Sequence, residues 1–243
     1  MGSVLYDSFE TYSSNLKLVL FFSIPFIIAF LIPLLAPFPT YLSLGAIFLR
    51  TAGISSNLSF LSLAVIIAAI IFSLLFLSFA FVAISLIVKS KRTHMRISRR
   101  VLADIERYIV RVFAVLLIYT IAVVIANVLG YYAGHEGLIT GIVGFFGFFL
   151  IFYAPSAIVV DDKRIGRAVG DGLRLAVREP QYFALWIILI TIIISVVDFA
   201  VISVFGVLFS RYIVLLVNSL VILPYFIIFQ AEAYMKRFPI LRH

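Results

Sequence analysis

Long apolar runs separated by short polar connections make up this chain. Six runs are long enough to cross about 30 Å of hydrocarbon as helices. They are Leu16–Ala36, Leu58–Val88, Ile109–Leu129, Leu138–Val160, Phe183–Phe209 and Tyr212–Met235. The second exceeds a perpendicular span, so it is expected to tilt or to project from the bilayer. Between the first two lies PFPTYLSLGAIFLRTAGISSN, apolar but interrupted by Pro37, Pro39, Gly45 and Gly53. Two arrangements suit it: a short helix over Tyr41–Thr51 lying on the outer surface, or an ordered loop packed on the bundle. The pattern predicts an all-α integral membrane protein of six transmembrane helices, with residues 1–243 forming one domain.

Two connections carry the same charged pattern. RRVLADIERYIVR (Arg99–Arg111) and GRAVGDGLRLAVR (Gly166–Arg178) share Arg-x-x-x-Asp-x-x-Arg-x-x-x-Arg. Arg100, Asp104, Arg107 and Arg111 correspond to Arg167, Asp171, Arg174 and Arg178. That spacing puts the four charges on one helical face. Val101, Ile105, Tyr108, Ile109 and Val112 form an apolar stripe beside the first set. Each copy is therefore an amphipathic helix leading into an outgoing span, the second weakened by Gly170 and Gly172.

The returning runs rhyme as well: Phe81-x-Ala83-x-Ser85, Phe152-x-Ala154-x-Ser156, Phe229-x-Ala231-x-Ala233. VLYDSFETYSSNLKLVL near the N-terminus puts Asp7 where Asp104 and Asp171 stand. The expectation is an internal repeat of amphipathic helix, span out and span back, over residues 4–88, 97–160 and 164–235. Its copies would be related about an axis along the membrane normal. Three roles suit the charged stripes. They could form internal salt bridges, each worth about 0.2–0.5 kcal/mol. They could dock anionic headgroups, at about 1 kcal/mol per basic residue. They could pair with each other and set the symmetry of the bundle.

Basic residues concentrate on one side of the predicted spans. Eight lie between Lys89 and Arg111 and five between Lys163 and Arg178, while the third and fourth runs are joined without any. The positive-inside rule places the rich connections, and with them both termini, in the cytoplasm of a multi-pass cell-membrane protein. Composition agrees: 64% of residues are hydrophobic and 12% charged, against about 25% charged in soluble domains. The absence of cysteine excludes disulfides and thiolate metal sites.

The stretch YAPSAIVVDDKRIGRAVGDGLRLAVREPQYFALW (Tyr153–Trp186) has a recognisable order: Pro-small-Ile-Val, an acidic turn, an amphipathic helix, then an aromatic-rich span. It resembles the six-span membrane domain found beside bacterial glycerophosphoryl diester phosphodiesterases and in related prokaryotic and archaeal membrane families. That family often carries Ser where Gly172 stands. Outside Tyr153–Trp186 the resemblance is one of layout. It implies a helical membrane domain and does not bring the phosphodiesterase activity, which a separate soluble domain performs.

Polar residues within the spans are the remaining candidates. Asp198, deep in the fifth, is a functional hypothesis by default, with Arg211, Asn218 and Asn127 as candidate partners. The other reading is an Asp that glues helices together by hydrogen bonding. Gln230 and Glu232 approach the inner end of the sixth span, where Glu232 can meet an arginine of the amphipathic helices. Gly141, Gly144 and Gly147 offer a small face for helix contact. Pro25, Pro33, Pro155 and Pro224 are expected to kink their helices. Tyr131, Tyr132 and Trp186 read as interfacial anchors. Asp161 and Asp162 could approach a divalent ion but fit better as a cap for the helix that follows.

No His-Glu-x-x-His, phosphate-binding glycine loop or dinucleotide fingerprint occurs. The sequence therefore reads as a non-enzymatic membrane protein without cofactor or metal. It would bind lipid, a partner or itself at the inner surface through Arg100, Arg107, Arg111, Arg167, Arg174 and Arg178. The partners expected are anionic lipid headgroups, a second copy or another membrane protein, and not a nucleic acid. The alternative is a small-solute or ion transporter or channel using Asp198, Asn218, Asn127, Gln230 and Glu232.

Overall fold

The computed structural model describes residues 2–35, 40–43, 46–49, 60–93 and 99–236. The side chains of Arg100, Asp104 and Arg211 lie outside the described ones. The described chain is helical apart from one antiparallel hairpin. Its elements are α1 (Gly2–Ser14), α2 (Leu16–Leu35), β1 (Thr40–Ser43), β2 (Ala46–Leu49), α3 (Phe60–Thr93), α4 (Arg99–Tyr132), α5 (Glu136–Ile151), α6 (Ala154–Asp161), α7 (Ile165–Arg178), α8 (Pro180–Val217) and α9 (Leu223–Met235). A π-helical turn, Asn218–Ile222, joins α8 to α9.

Five helical stretches are long and apolar enough to cross a membrane: Ala64–Lys91, Ile105–Tyr132, Gly137–Asp161, Pro180–Gly206 and Tyr212–Met235. There are six if α1 and α2, bent by 90° at Asn15, count as one span. The chain is thus a polytopic membrane protein, and every apolar run of the sequence falls on one of these segments. The segment expected as a surface helix over Tyr41–Thr51 is instead the β1–β2 hairpin, with Thr40 opposite Leu49 and Ser43 opposite Ala46. Tyr41, Ile47 and Phe48 suit strands better than a helix.

Proline and glycine set the breaks. Pro155 has no N–H to give Ile151, and the helix stops there before resuming at Ala154. Glu179, kept out of the helical region ahead of Pro180 at φ −130° and ψ 62°, separates α7 from α8. Within α8 the fifth span ends at Gly206, whose φ of 70° and ψ of 171° only glycine adopts readily. The span therefore closes earlier than Phe209. The Leu220 carbonyl, which Pro224 cannot satisfy, takes the Tyr12 hydroxyl at 3.4 Å. In contrast, Pro25 sits inside an unbroken α2.

The core centres on α6. Every residue from Phe152 to Val159 is buried, enclosed by side chains of α3, α4, α7 and α9. Beside it an aromatic cluster joins α5, α8 and α9. Trp186 packs on Phe148, Phe152 and Phe226 at 5.3–5.6 Å and donates its indole N–H to the Phe226 carbonyl at 3.1 Å. Trp186 is a packing residue here rather than the interfacial anchor its sequence position suggests. Tyr131 and Tyr132 are exposed at the opposite end of α4, as anchors would be. Of the glycines of α5, Gly144 and Gly147 meet Tyr119 of α4, while Gly141 has nothing near it.

Gly172 permits a close approach of two backbones. A Cβ there would stand 3.1 Å from the Ala154 nitrogen and 3.3 Å from the Tyr153 carbonyl carbon, both backbone atoms. So α7 lies directly across the break before α6, which a larger residue would not allow. At Gly170 a Cβ would meet nothing within 4 Å. Gly172→Val should therefore destabilise the detergent-solubilised protein by about 1–3 kcal/mol through overpacking. Gly170→Ala should stabilise α7 by up to about 1 kcal/mol. Thermal unfolding of both variants checks the contrast.

Candidate functional site at the basic end

Side chains near the ends of α3, α6 and α9 bond to those near the starts of α4, α7 and α8, and to α1. These ends form one layer, rich in Lys and Arg. At its centre stand Asp161 and Asp162. Asp161, still helical, accepts the Tyr234 hydroxyl at 2.7 Å and pairs with Lys163 at 2.8 Å. Asp162 closes α6 in the left-handed conformation, φ 51° and ψ 40°, which Asp tolerates better than most residues. The turn aims its carboxylate at α4, where Arg107 and Arg111 both bind it, Arg111 at 2.8 Å. Arg111 also reaches the Lys163 carbonyl at 3.3 Å.

The two carboxylates therefore do not cap α7. The residue before that helix is Arg164, and no side chain caps it. Among the described residues no third His, Cys, Asp or Glu joins them in a group that could hold a metal ion. They act as acceptors that tie α4, α6 and α9 together. Lys163 extends the tie to α7 through Asp171 at 2.9 Å. Lys89 of α3 donates to the Val159 carbonyl at 2.8 Å, and Lys236 meets the Tyr182 hydroxyl of α8.

The two copies of the charged pattern have different fates. In the first, Arg107 and Arg111 turn toward Asp162, and α4 runs on unbroken into its span. In the second, Ala168, Gly172, Leu175 and Ala176 are buried while Arg167, Arg174 and Arg178 are exposed. Arg174 has only a loose i,i+3 pairing with Asp171 at 3.8 Å and is 87% exposed. Arg167 and Arg178 make no ion pair with any described residue.

Among the intramembrane candidates, Glu232 is fully buried and accepts the Thr11 hydroxyl of α1 at 2.8 Å. Lys91 reaches the same hydroxyl at 3.2 Å and Glu10 at 3.1 Å. These contacts hold α1 against α3 and α9, a role that the sequence hints at only through Asp7. Gln230 is buried on α9. Asn127 donates to Thr140 at 3.2 Å and so joins α4 to α5. Asp198 is half-buried on α8. Its neighbour Val197 packs in one cluster with Val217 and Ile222, beside the buried Asn218 of the π-helical turn. Asn127 and Glu232 thus serve separate helix contacts, α4 with α5 and α9 with α1.

Comparison with protein-family models, with curated proteins and with solved structures returned no match.

Asn at position 162 would keep the left-handed turn and remove the charge that Arg107 and Arg111 share. Both pairs are partly exposed, so each contributes about 0.2–1 kcal/mol. Asp162→Asn should lower stability by about 1 kcal/mol at low salt and by less at high salt. Thermal unfolding in detergent at two ionic strengths measures this.

Proposed function

We propose that this chain is a non-enzymatic membrane protein whose basic end faces the cytoplasm and binds anionic lipid headgroups. The observation that carries this reading is the outer face of α7. Its apolar face is committed to the break before α6, and Arg167 and Arg178 stand exposed without a carboxylate among the described residues. A helix held flat on its own bundle in this way presents its basic face where lipid phosphates lie. Each such arginine contributes about 1 kcal/mol against an anionic leaflet. Arg107 and Arg111 contribute less to this surface, because Asp162 already engages them.

A second reading, a path for a proton or small solute, rests on Asp198. A carboxyl within a span, beside a π-helical turn holding a buried amide, is an arrangement seen at functional positions. Asp198→Asn should then abolish flux in proteoliposomes while leaving thermal unfolding unchanged, and a wild type without flux under any gradient would remove this reading.

For the lipid reading, native mass spectra of the protein in mild detergent should show retained phosphatidylglycerol. The double charge reversal Arg167→Glu, Arg178→Glu should weaken that retention by on the order of tenfold or more. Undiminished retention would show that α7 is not the docking face.

A further inference from the structure

The helix α7 is tied to the bilayer at both ends. The span before it closes at Asp161, and the span after it opens at Pro180. Its 14 residues, Ile165–Arg178, cover about 21 Å at 1.5 Å per residue. They therefore run along the basic end at the depth of the headgroups. We infer that this helix holds one lipid with two phosphates, a diphosphatidylglycerol. One phosphate lies at Arg164 and Arg167, the other at Arg174 and Arg178. The inference rests on the lipid-binding reading above and names the headgroup class of the same surface.

The spacing selects two phosphates. Arg164 and Arg167 stand three positions apart, Arg174 and Arg178 four. Residues at those separations are neighbours on a helix surface, so each pair can share one phosphate. Arg164 precedes the first helical residue, and its carbonyl already accepts the Ala168 N–H at 2.9 Å, so it belongs to the first turn. About 10.5 Å of helix separates Arg167 from Arg174. Long arginine side chains can close that gap to the shorter distance between two phosphates joined through one glycerol. A lipid with one phosphate fills one pair and leaves the other bare. Two phosphates on one molecule fill both, and the second binds at the effective concentration that the first confers.

The arginines are open to such a ligand. Arg164, Arg167 and Arg178 are exposed and make no ion pair with any described residue. Arg174, 87% exposed, has only the 3.8 Å contact with Asp171 among the described residues. Every acidic residue except Asp104 and Glu136 has a described side chain, so few carboxylates are left to compete for them. The ground between the two pairs is clear as well. Gly170 is exposed, and a Cβ there would meet nothing within 4 Å. Asp171 beside it is engaged by Lys163 at 2.9 Å. The glycerol that joins the phosphates thus has room to pass. Val177, 64% exposed and next to Arg178, offers the acyl chains an apolar contact.

The test is native mass spectrometry of the full chain in mild detergent, with diphosphatidylglycerol and phosphatidylglycerol offered at equal phosphate. The wild type should retain diphosphatidylglycerol in preference by on the order of tenfold. The four arginines and Gly170 are exposed, so their replacement leaves folding intact. Arg164→Gln, Arg167→Gln should remove most of that preference while phosphatidylglycerol stays bound at the second pair. Gly170→Leu, which fills the ground between the pairs, should lower the preference severalfold and leave phosphatidylglycerol retention unchanged. Equal retention of the two lipids by the wild type, or a preference unaltered in both variants, would overturn the inference. So would displacement of the lipid by millimolar inorganic diphosphate, which would assign the face to a soluble anion. Phosphatidylglycerol retained and sensitive to Arg167→Glu, Arg178→Glu, with no preference for the two-phosphate lipid, would leave the reading above standing and remove this one alone. Loss of all lipid from the wild type would remove both.

Discussion

Helices in a bilayer gain little by exchanging lipid for one another's apolar side chains, so polar ties and close backbone approach decide how they assemble. In this protein the ties converge on two consecutive carboxylates at the end of α6. Asp161 is the last helical residue and faces α9, where it accepts the Tyr234 hydroxyl. Asp162 is left-handed and faces α4, where it takes both arginines. One turn of backbone thus sends adjacent charges to different helices. Lys163 then bridges Asp161 to Asp171 on α7.

Packing next to this junction is equally committed. The break at Phe152–Tyr153 falls inside one span, Gly137–Asp161, and Gly172 lets α7 cross over it. Trp186 joins the same region from α8, with its ring among Phe148, Phe152 and Phe226 and its N–H on a carbonyl of α9. On the other side Glu232 and Thr11 hold α1 against the bundle. The basic layer is therefore a platform tied to several helices at once, and Arg167 and Arg178 stand exposed on it.

That platform explains why a repeated charge pattern need not have a repeated role. In α4 the pattern lies on a continuous helix, and a nearby carboxylate from the α6–α7 turn engages its arginines. In α7 the pattern lies on a separate helix ended by Glu179 and Pro180, and its basic face looks outward. The difference arises from Asp162, a residue in neither copy.

The six apolar runs, the concentration of basic residues in two connections and the amphipathic faces of α4 and α7 were legible in the residues alone, because each depends on local spacing and on the cost of placing charge in hydrocarbon. The interruption at Pro155 was legible for the same reason, since a missing N–H acts on its own helix. The partners were not. Nothing local says that Arg107 meets Asp162, that Gly172 serves close approach rather than weakening its helix, or that Trp186 packs inward. The same holds for Tyr41–Thr51, whose apolar, glycine-interrupted pattern suited a short surface helix as well as the hairpin that forms. Those outcomes depend on which helices become neighbours, and that is decided only when the whole bundle is assembled around α6.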